Sequence, residues 1–188
     1  ITMYLNHKGF ISGEKVNETP LFVALLYDEN GINTSGAGIG SDLVLTISQD
    51  GKDVYRFTLN DYYESEVNSY QQGVVNFLLP EIPAGKYTLT FKASDLLNNM
   101  TQQSLDFEVV KGLTPRLFKV INYPNPAVDH TNIQVEHNRE SDIIDMTVDI
   151  FDMSGKRIWT FNQKSDEIIT WNLNGSNGNK IRPGIYIY

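Results

Sequence analysis

The sequence of 188 residues contains no cysteine and only three histidines. Without a thiol, its own residues cannot supply a disulfide, a thiolate metal site or a cysteine nucleophile. His7, His130 and His137 are the side chains that ordinarily titrate near neutral pH, and none stands in a recognisable catalytic pattern. We expect exposed or capping histidines, and the sequence predicts a chain that is not itself an enzyme and has no cofactor.

Positive charge is scarce, and long hydrophobic runs are missing. The sequence contains 15 lysines and arginines and 23 aspartates and glutamates, so its formal net charge is −8. Such a chain offers no broad basic surface for nucleic acid. No apolar run approaches the roughly 20 residues of a membrane-spanning helix. The sequence therefore predicts no nucleic-acid partner and no transmembrane segment, while the absence of cysteine does not exclude export.

What the sequence does contain is a series of short apolar or alternating runs bounded by Gly, Asn, Asp and Pro. In the run from Asp53 to Leu59, the residues Tyr55, Phe57 and Leu59 share one face of a strand. This spacing is typical of β-sandwiches. It predicts an all-β chain with strands at residues 21–27, 43–48, 54–59, 74–79, 87–93, 105–110, 131–136, 147–152, 156–161, 167–173 and 184–188.

The segment from Lys111 to Pro115 contains a glycine and a proline between two series of strands, as linkers do. We therefore expect two consecutive antiparallel β-sandwiches, residues 1–112 and residues 113–188.

Three short segments could carry a ligand. Tyr62 and Tyr63, beside Asn60 and Asp61, form a possible recognition surface for sugars or peptides. The acidic turn at residues 28–31 leaves calcium open, although it lacks a full ligand loop. The glycines at residues 36–38 are followed by no lysine with Ser or Thr, which favours a flexible loop over a phosphate site.

The segment Tyr123-Pro124-Asn125-Pro126 has two prolines, neither of which can sit inside a central strand. It is followed in order by a turn with Asp152 and Gly155, by Trp171, and by a last strand with Gly184 and Tyr186. These ordered landmarks resemble the C-terminal domains of type IX secretion substrates. The resemblance implies a small β-sandwich, at about residues 123–188, that the outer-membrane secretion machinery recognises.

The upstream half resembles the immunoglobulin-like region of PorU-type gingipain-like cysteine peptidases. The resemblance rests on residues 19–22, 28–33, 38–40, 59–63, 85–93 and 95–99. It implies an immunoglobulin-like first sandwich and a catalytic domain upstream, whose Cys and His match nothing in this chain. It also implies an exported protein at the outer membrane and cell surface of a Gram-negative bacterium.

Two hypotheses follow. In the first, the chain is a non-catalytic interaction and sorting module whose partners are type IX secretion components and its own peptidase domain. In the second, it belongs to a secreted cargo protein, whose first sandwich binds carbohydrate and whose second is a sorting signal.

Overall fold

A computed structural model describes residues 1–34, 42–139, 144–165 and 168–188. Nearly all secondary structure in them is β-strand, so the predicted all-β class is confirmed. The chain divides into two compact units, Ile1–Thr114 and Pro115–Tyr188. Among the described residues there is no helix of the length and apolarity that crossing a membrane requires. The glycines at residues 36–38 lie outside the described residues.

The first unit contains two sheets and one short 3-10 helix, Asn60–Tyr62. Its strands are β1 (Thr2–Leu5), β2 (Lys15–Val16), β3 (Leu21–Tyr27), β4 (Val44–Gln49), β5 (Lys52–Thr58), β6 (Tyr63–Ser65), β7 (Gln72–Leu78), β8 (Gly85–Ser94) and β9 (Met100–Val109). The sheet orders are β1-β3-β7-β6 and β2-β9-β8-β4-β5. Neighbouring strands are antiparallel, except that β2 runs parallel to β9.

Strict alternation explains how these sheets share one core. Along β8, Tyr87, Leu89, Phe91 and Ala93 are buried, and the residues between them are at least partly exposed. Phe91 meets Phe22 of the other sheet, with ring centroids 5.2 Å apart. Burial of each such large side chain stabilises the fold by about 2 kcal/mol, so the core needs no covalent link.

The second unit contains two three-stranded sheets, β10-β11-β14 and β13-β12-β15. All of its strand pairs are antiparallel. Its smaller core includes Ile133, Ile150 and Trp171. The strands are β10 (Leu117–Tyr123), β11 (Thr131–His137), β12 (Ile144–Asp152), β13 (Arg157–Ser165), β14 (Ile168–Trp171) and β15 (Tyr186–Ile187).

In the sheet β13-β12-β15 of the second unit, one side of strand β12 is only partly paired. Strand β12 has nine residues, but β15 pairs only with Phe151 and Asp152 at its end. Within the described part of the chain, no strand pairs with the rest of β12 on that side. An uncovered strand edge presents unpaired backbone amides and carbonyls.

Of the two expected histidine settings, exposed or capping, His137 is not in the first, because it is buried. The inward-facing residues of β11 are Thr131, Ile133, Val135 and His137, so the pleat carries the imidazole to the core side. Its Nδ1 accepts a hydrogen bond of 3.0 Å from the backbone N–H of Arg139. His130 precedes the strand and is exposed.

Candidate functional site

The double-proline segment joins β10 to β11 and is fixed to the start of β11. The hydroxyl of Thr131, a buried residue, donates a 3.0 Å hydrogen bond to the carbonyl oxygen of Pro124. Both peptide bonds that precede the prolines, Tyr123–Pro124 and Asn125–Pro126, are cis. The segment therefore has a defined place against the sheet.

Asn125 and Pro126 line an open cleft of about 590 Å³ in the second unit. Gly184 and Tyr186, almost 60 residues later in the chain, line the same cleft, and so does Trp171. The structure thus brings together five of the nine predicted motif residues.

Two of the aromatic residues that line the cleft, Trp171 and Tyr186, have their polar groups bonded locally. Trp171 and Tyr186 meet edge to face, with ring centroids 6.1 Å apart. The indole Nε1 of Trp171 donates to the carbonyl oxygen of Asn174 at 2.9 Å. The hydroxyl of Tyr186 donates to the carbonyl oxygen of Arg182 at 2.6 Å. Because these groups already have partners, the rings contribute mainly apolar surface to the cleft.

Sequence reasoning missed the most exposed large apolar residues of the cleft. Val128 and Ile185 both line it, with 83% and 73% of their surface exposed. The one available signal was an aliphatic residue within a polar turn, and single exposed aliphatic residues are common. Lys180 and Arg182 also line the cleft, and among the described residues no aspartate or glutamate does. Chemically, the cleft suits an apolar segment with neutral or acidic neighbours.

The other predicted motif residues do not line this cleft. Asp152 and Gly155 form the turn between β12 and β13, where Gly155 has a φ of +81°. The Asp152 carboxylate accepts hydrogen bonds from the Ser154 hydroxyl and from the backbone N–H groups of Ser154 and Lys156. The Ser154 hydroxyl is the main cause of the lowered pKa of Asp152. Asp152 and Gly155 therefore stabilise a turn. Tyr123 and Pro124 directly precede the cleft residues Asn125 and Pro126 in the sequence.

Tyr62 and Tyr63 do not present a joint surface. Tyr62 is exposed, and its ring meets that of Phe77 at a centroid distance of 4.7 Å. Tyr63 is half-buried, and its ring lies against Gly73. Burial raises the pKa of Tyr63, and its hydroxyl oxygen is buried with no hydrogen-bond partner in the described structure.

The acidic turn at residues 28–31 is organised by its own backbone. Asp28 Oδ1 accepts a 2.8 Å hydrogen bond from the backbone N–H of Asn30. Across the described ranges, no three His, Cys, Asp or Glu side chains are grouped in a way that could hold a metal ion.

Comparison with known proteins locates this site within a family domain. Residues 122–188 match the secretion system C-terminal sorting domain. Over 99% of its length, the chain is similar to dimeric latent PorU from Porphyromonas gingivalis, with 32% sequence identity and a TM-score of 0.58. The chain matches a PorU-type C-terminal region. It spans only 18% of that PorU chain, and the PorU similarity covers both units.

More distant likenesses involve other β-proteins. CopC from Methylosinus trichosporium OB3b is 15% identical, covering 55% of this chain and 89% of CopC, with a TM-score of 0.36. The fibronectin(III)-like modules of Clostridium thermocellum CbhA are 12% identical, covering 91% of this chain and 78% of theirs, with a TM-score of 0.33. These two scores are too low to establish a shared fold. No curated protein matches the sequence.

Proposed function

We propose that this chain is the non-catalytic interaction and sorting module of a PorU-like type IX sortase that processes secreted cargo at the cell surface. The observation that carries the proposal is the extent of the PorU similarity, which runs through both units at 32% identity. A cargo protein would share the sorting domain at residues 122–188 but has no reason to share the first unit. In this proposal, residues 1–112 are an immunoglobulin-like sandwich and residues 113–188 a sorting-type sandwich.

The cleft of the second unit is the surface through which we expect this module to dock. It gathers most of the aromatic and turn residues of the sorting motif, and its rim residues Val128 and Ile185 are exposed apolar groups. Exposed aliphatic residues around a pocket are typical of interaction sites. The partners of the module would be outer-membrane and surface components of the type IX system.

The partly covered edge of β12 lies on the sheet that carries β15, so strand addition at this edge is a second mode of contact.

Catalysis would belong to another part of the parent protein. The sequence has no cysteine, so a cysteine peptidase of this type would carry its nucleophile upstream, and that peptidase domain would be a second partner. The sorting domain and the PorU similarity indicate a secreted cell-surface protein. We place it at the outer membrane of a Gram-negative bacterium.

A pull-down with the whole chain tests docking through the cleft. Solubilised outer membranes of a type IX-secreting bacterium are passed over the immobilised chain, and retained type IX components are identified by mass spectrometry. The test variant is Val128→Ser with Ile185→Ser, since both side chains are exposed and their replacement leaves the core intact. The matched control is Met153→Ser, which changes another exposed apolar residue of the same unit outside the cleft.

We expect the unmodified chain and the Met153 variant to retain type IX components, and the cleft variant to lose most of them. Equal retention by all three chains would exclude the cleft as the docking surface. Retention by none of them would contradict docking through this module.

The aromatic side chains near Tyr62 favour the second candidate, a carbohydrate-binding module of a cargo protein. Rings of Tyr55, Phe57, Phe77 and Tyr62 follow one another at centroid distances of 6.3, 5.1 and 4.7 Å. Tyr55, Phe57 and Phe77 pack against the first core, so Tyr62 is the exposed ring of this row that can stack on a sugar. Binding on a glycan array that is lost in Tyr62→Ala, but kept in the exposed-tyrosine control Tyr27→Ala, would support this candidate over the first.

A further inference from the structure

Three loops of the first unit are bonded to one another at one end of the sandwich. They follow β3, β6 and β8 and comprise residues 28–34, 66–71 and 95–99. The backbone N–H of Leu96 donates to the carbonyl oxygen of Gly31 at 3.1 Å. The N–H of Asp28 donates to the carbonyl oxygen of Gln71 at 2.8 Å. The loops therefore form a single connected surface.

The buried carboxylate of Asp95 joins two of these loops, residues 95–99 and 28–34. Its Oδ1 accepts from the backbone N–H groups of Leu97 and Asn99 at 2.9 and 2.7 Å. Its Oδ2 accepts from the side-chain amides of Asn99 at 2.7 Å and of Asn30, in a second loop, at 3.4 Å. With only 4% of Asp95 exposed, these bonds are shielded from water and fix the loops before any partner arrives.

The connected loops expose four large apolar side chains, which we call the loop-end patch: Val67 (86% exposed), Tyr70 (68%), Leu96 (57%) and Leu97 (67%). Tyr70 and Leu96 both lie against Gly31. A Cβ atom at Gly31 would be 2.9 Å from the ring of Tyr70 and 3.2 Å from a methyl carbon of Leu96. Adjacent exposed apolar groups of this size mark an interaction surface.

The charged side chains of the three loops are all acidic. Asp28, Glu29 and Glu66 lie in them beside the buried Asp95, and residues 28–34, 66–71 and 95–99 include no lysine or arginine. A surface with an apolar centre and acidic surroundings selects a partner with the opposite charge around its own apolar contacts. An anionic lipid surface would be repelled.

We propose that the loop-end patch docks a protein partner whose apolar contact residues are ringed by lysine and arginine. Because Asp95 already orders the loops, binding does not incur the entropy cost of fixing them. The proposal concerns the first unit and does not depend on the function proposed for the second.

Two synthetic amphipathic helical peptides provide the probes, both with leucine on one face. One carries lysine on its polar face and the other glutamate. Binding of each fluorescently labelled peptide to the whole chain is measured by anisotropy at low and high salt. We expect saturable binding of the lysine peptide, weakened by salt, and binding of the glutamate peptide at least roughly tenfold weaker. Equal binding of both peptides would overturn the proposal.

Paired variants locate the binding site. Leu96→Ser with Leu97→Ser should weaken binding of the lysine peptide roughly tenfold, whereas Ile11→Ser, an exposed apolar control with 74% of its surface exposed, should leave it unchanged. Glu66→Lys should weaken binding more than Glu81→Lys, an exposed control outside the three loops. Circular dichroism confirms that each variant is folded. If controls and test variants lose affinity equally, the patch is not the site.

Discussion

Gly73 shows how one missing side chain determines a contact of the first unit. A Cβ atom at this position would lie 2.4 Å from the backbone oxygen of Glu64 and 2.5 Å from the ring of Tyr63. The backbone oxygen belongs to the neighbouring strand β6, so it cannot move without disturbing the sheet. Only glycine fits between these two groups.

We therefore expect Gly73→Ala to destabilise the first unit by about 1–3 kcal/mol, the usual cost of overpacking. The measurement is a urea titration followed by circular dichroism. Gly9→Ala is the matched control, since its Cβ would meet its nearest neighbour at an ordinary 3.5 Å. A Gly73 variant as stable as the control would contradict the contact.

Removal of two tyrosine hydroxyls should affect stability differently, because one is hydrogen-bonded and the other is not. Tyr87 donates a 3.0 Å hydrogen bond to the carbonyl oxygen of Pro83, whereas the Tyr63 hydroxyl has no partner among the described residues. We expect Tyr87→Phe to lower the free energy of unfolding by about 1 kcal/mol and Tyr63→Phe to leave it unchanged or raise it. Urea midpoints of the two variants decide the matter, and a loss of stability in Tyr63→Phe would show that its hydroxyl is bonded.

At this scale the sequence predicted chemistry better than placement. It predicted that Tyr62 and Tyr63 form a possible recognition surface. The structure puts the first against Phe77 and the second against Gly73. The 3-10 helix ends at Tyr62 and β6 begins at Tyr63, and this change of backbone sends consecutive side chains in different directions. A sequence pattern contains no information on such a junction until the helix boundary is known.

Two of the loop and turn elements depend on an ionised aspartate. The pKa of Asp95 is lowered, mainly by the side-chain hydrogen bond from Asn99, and that of Asp152 mainly by the Ser154 hydroxyl. A folded-state pKa below the unfolded one means that the ionised group stabilises the fold above its unfolded pKa of about 3.9. That stability is lost as the pH falls through the lower, folded value.

We expect Asp95→Asn to lower the melting temperature at pH 7, because an amide nitrogen would then face N–H donors. The variant should also lose less stability than the unmodified chain on acidification below about pH 4, since its side chain no longer titrates. Thermal melts over a pH series measure both effects. The control is Asp61→Asn, which changes an exposed aspartate. An acid dependence identical to that of the unmodified chain would contradict the role of Asp95.

Elements with a continuous apolar run or clear alternation were predictable, and very short ones were not. The predicted strand at residues 21–27 matches β3, and the predicted run at residues 131–136 lies within β11. Strands β2 and β6 have two and three residues, too few for any period to show. Their pairing comes from neighbouring strands, Lys15 with Glu108 and Tyr63 with Val75, which is tertiary information.

At the scale of the whole chain, the two tryptophans report on one unit. The sequence contains only Trp159 and Trp171, and both belong to the second core, with ring centroids 5.8 Å apart. The larger first core, which includes Leu89, contains no tryptophan. Tryptophan fluorescence should therefore follow the unfolding of residues 115–188 alone.

A pair of core truncations tests this assignment. Ile133→Ala removes a buried side chain of the second core and Leu89→Ala one of the first, each at a cost of about 2–5 kcal/mol. We expect the fluorescence midpoint in urea to fall for Ile133→Ala and to stay constant for Leu89→Ala, which should instead shift the circular dichroism transition. Equal fluorescence shifts would show that the two units unfold as one.

The cleft is the part of the site that no local pattern could reveal. Its walls come from residues near 125 and near 185, and the order of the landmarks along the chain does not say which of them meet. Closure depends on strand pairing over long sequence separations, such as Thr131 with Trp171. The sequence predicted the motif residues, whereas the exposed rim at Val128 and Ile185 required the fold.

The partly covered edge of β12 also has a spectroscopic consequence. In an antiparallel strand, successive N–H groups point alternately to the two neighbours. Along the part of β12 beyond its pairing with β15, every second amide proton faces β13 and the others face away from it. Hydrogen exchange should therefore alternate between slow and fast along this strand, and a bound strand would make the whole series slow.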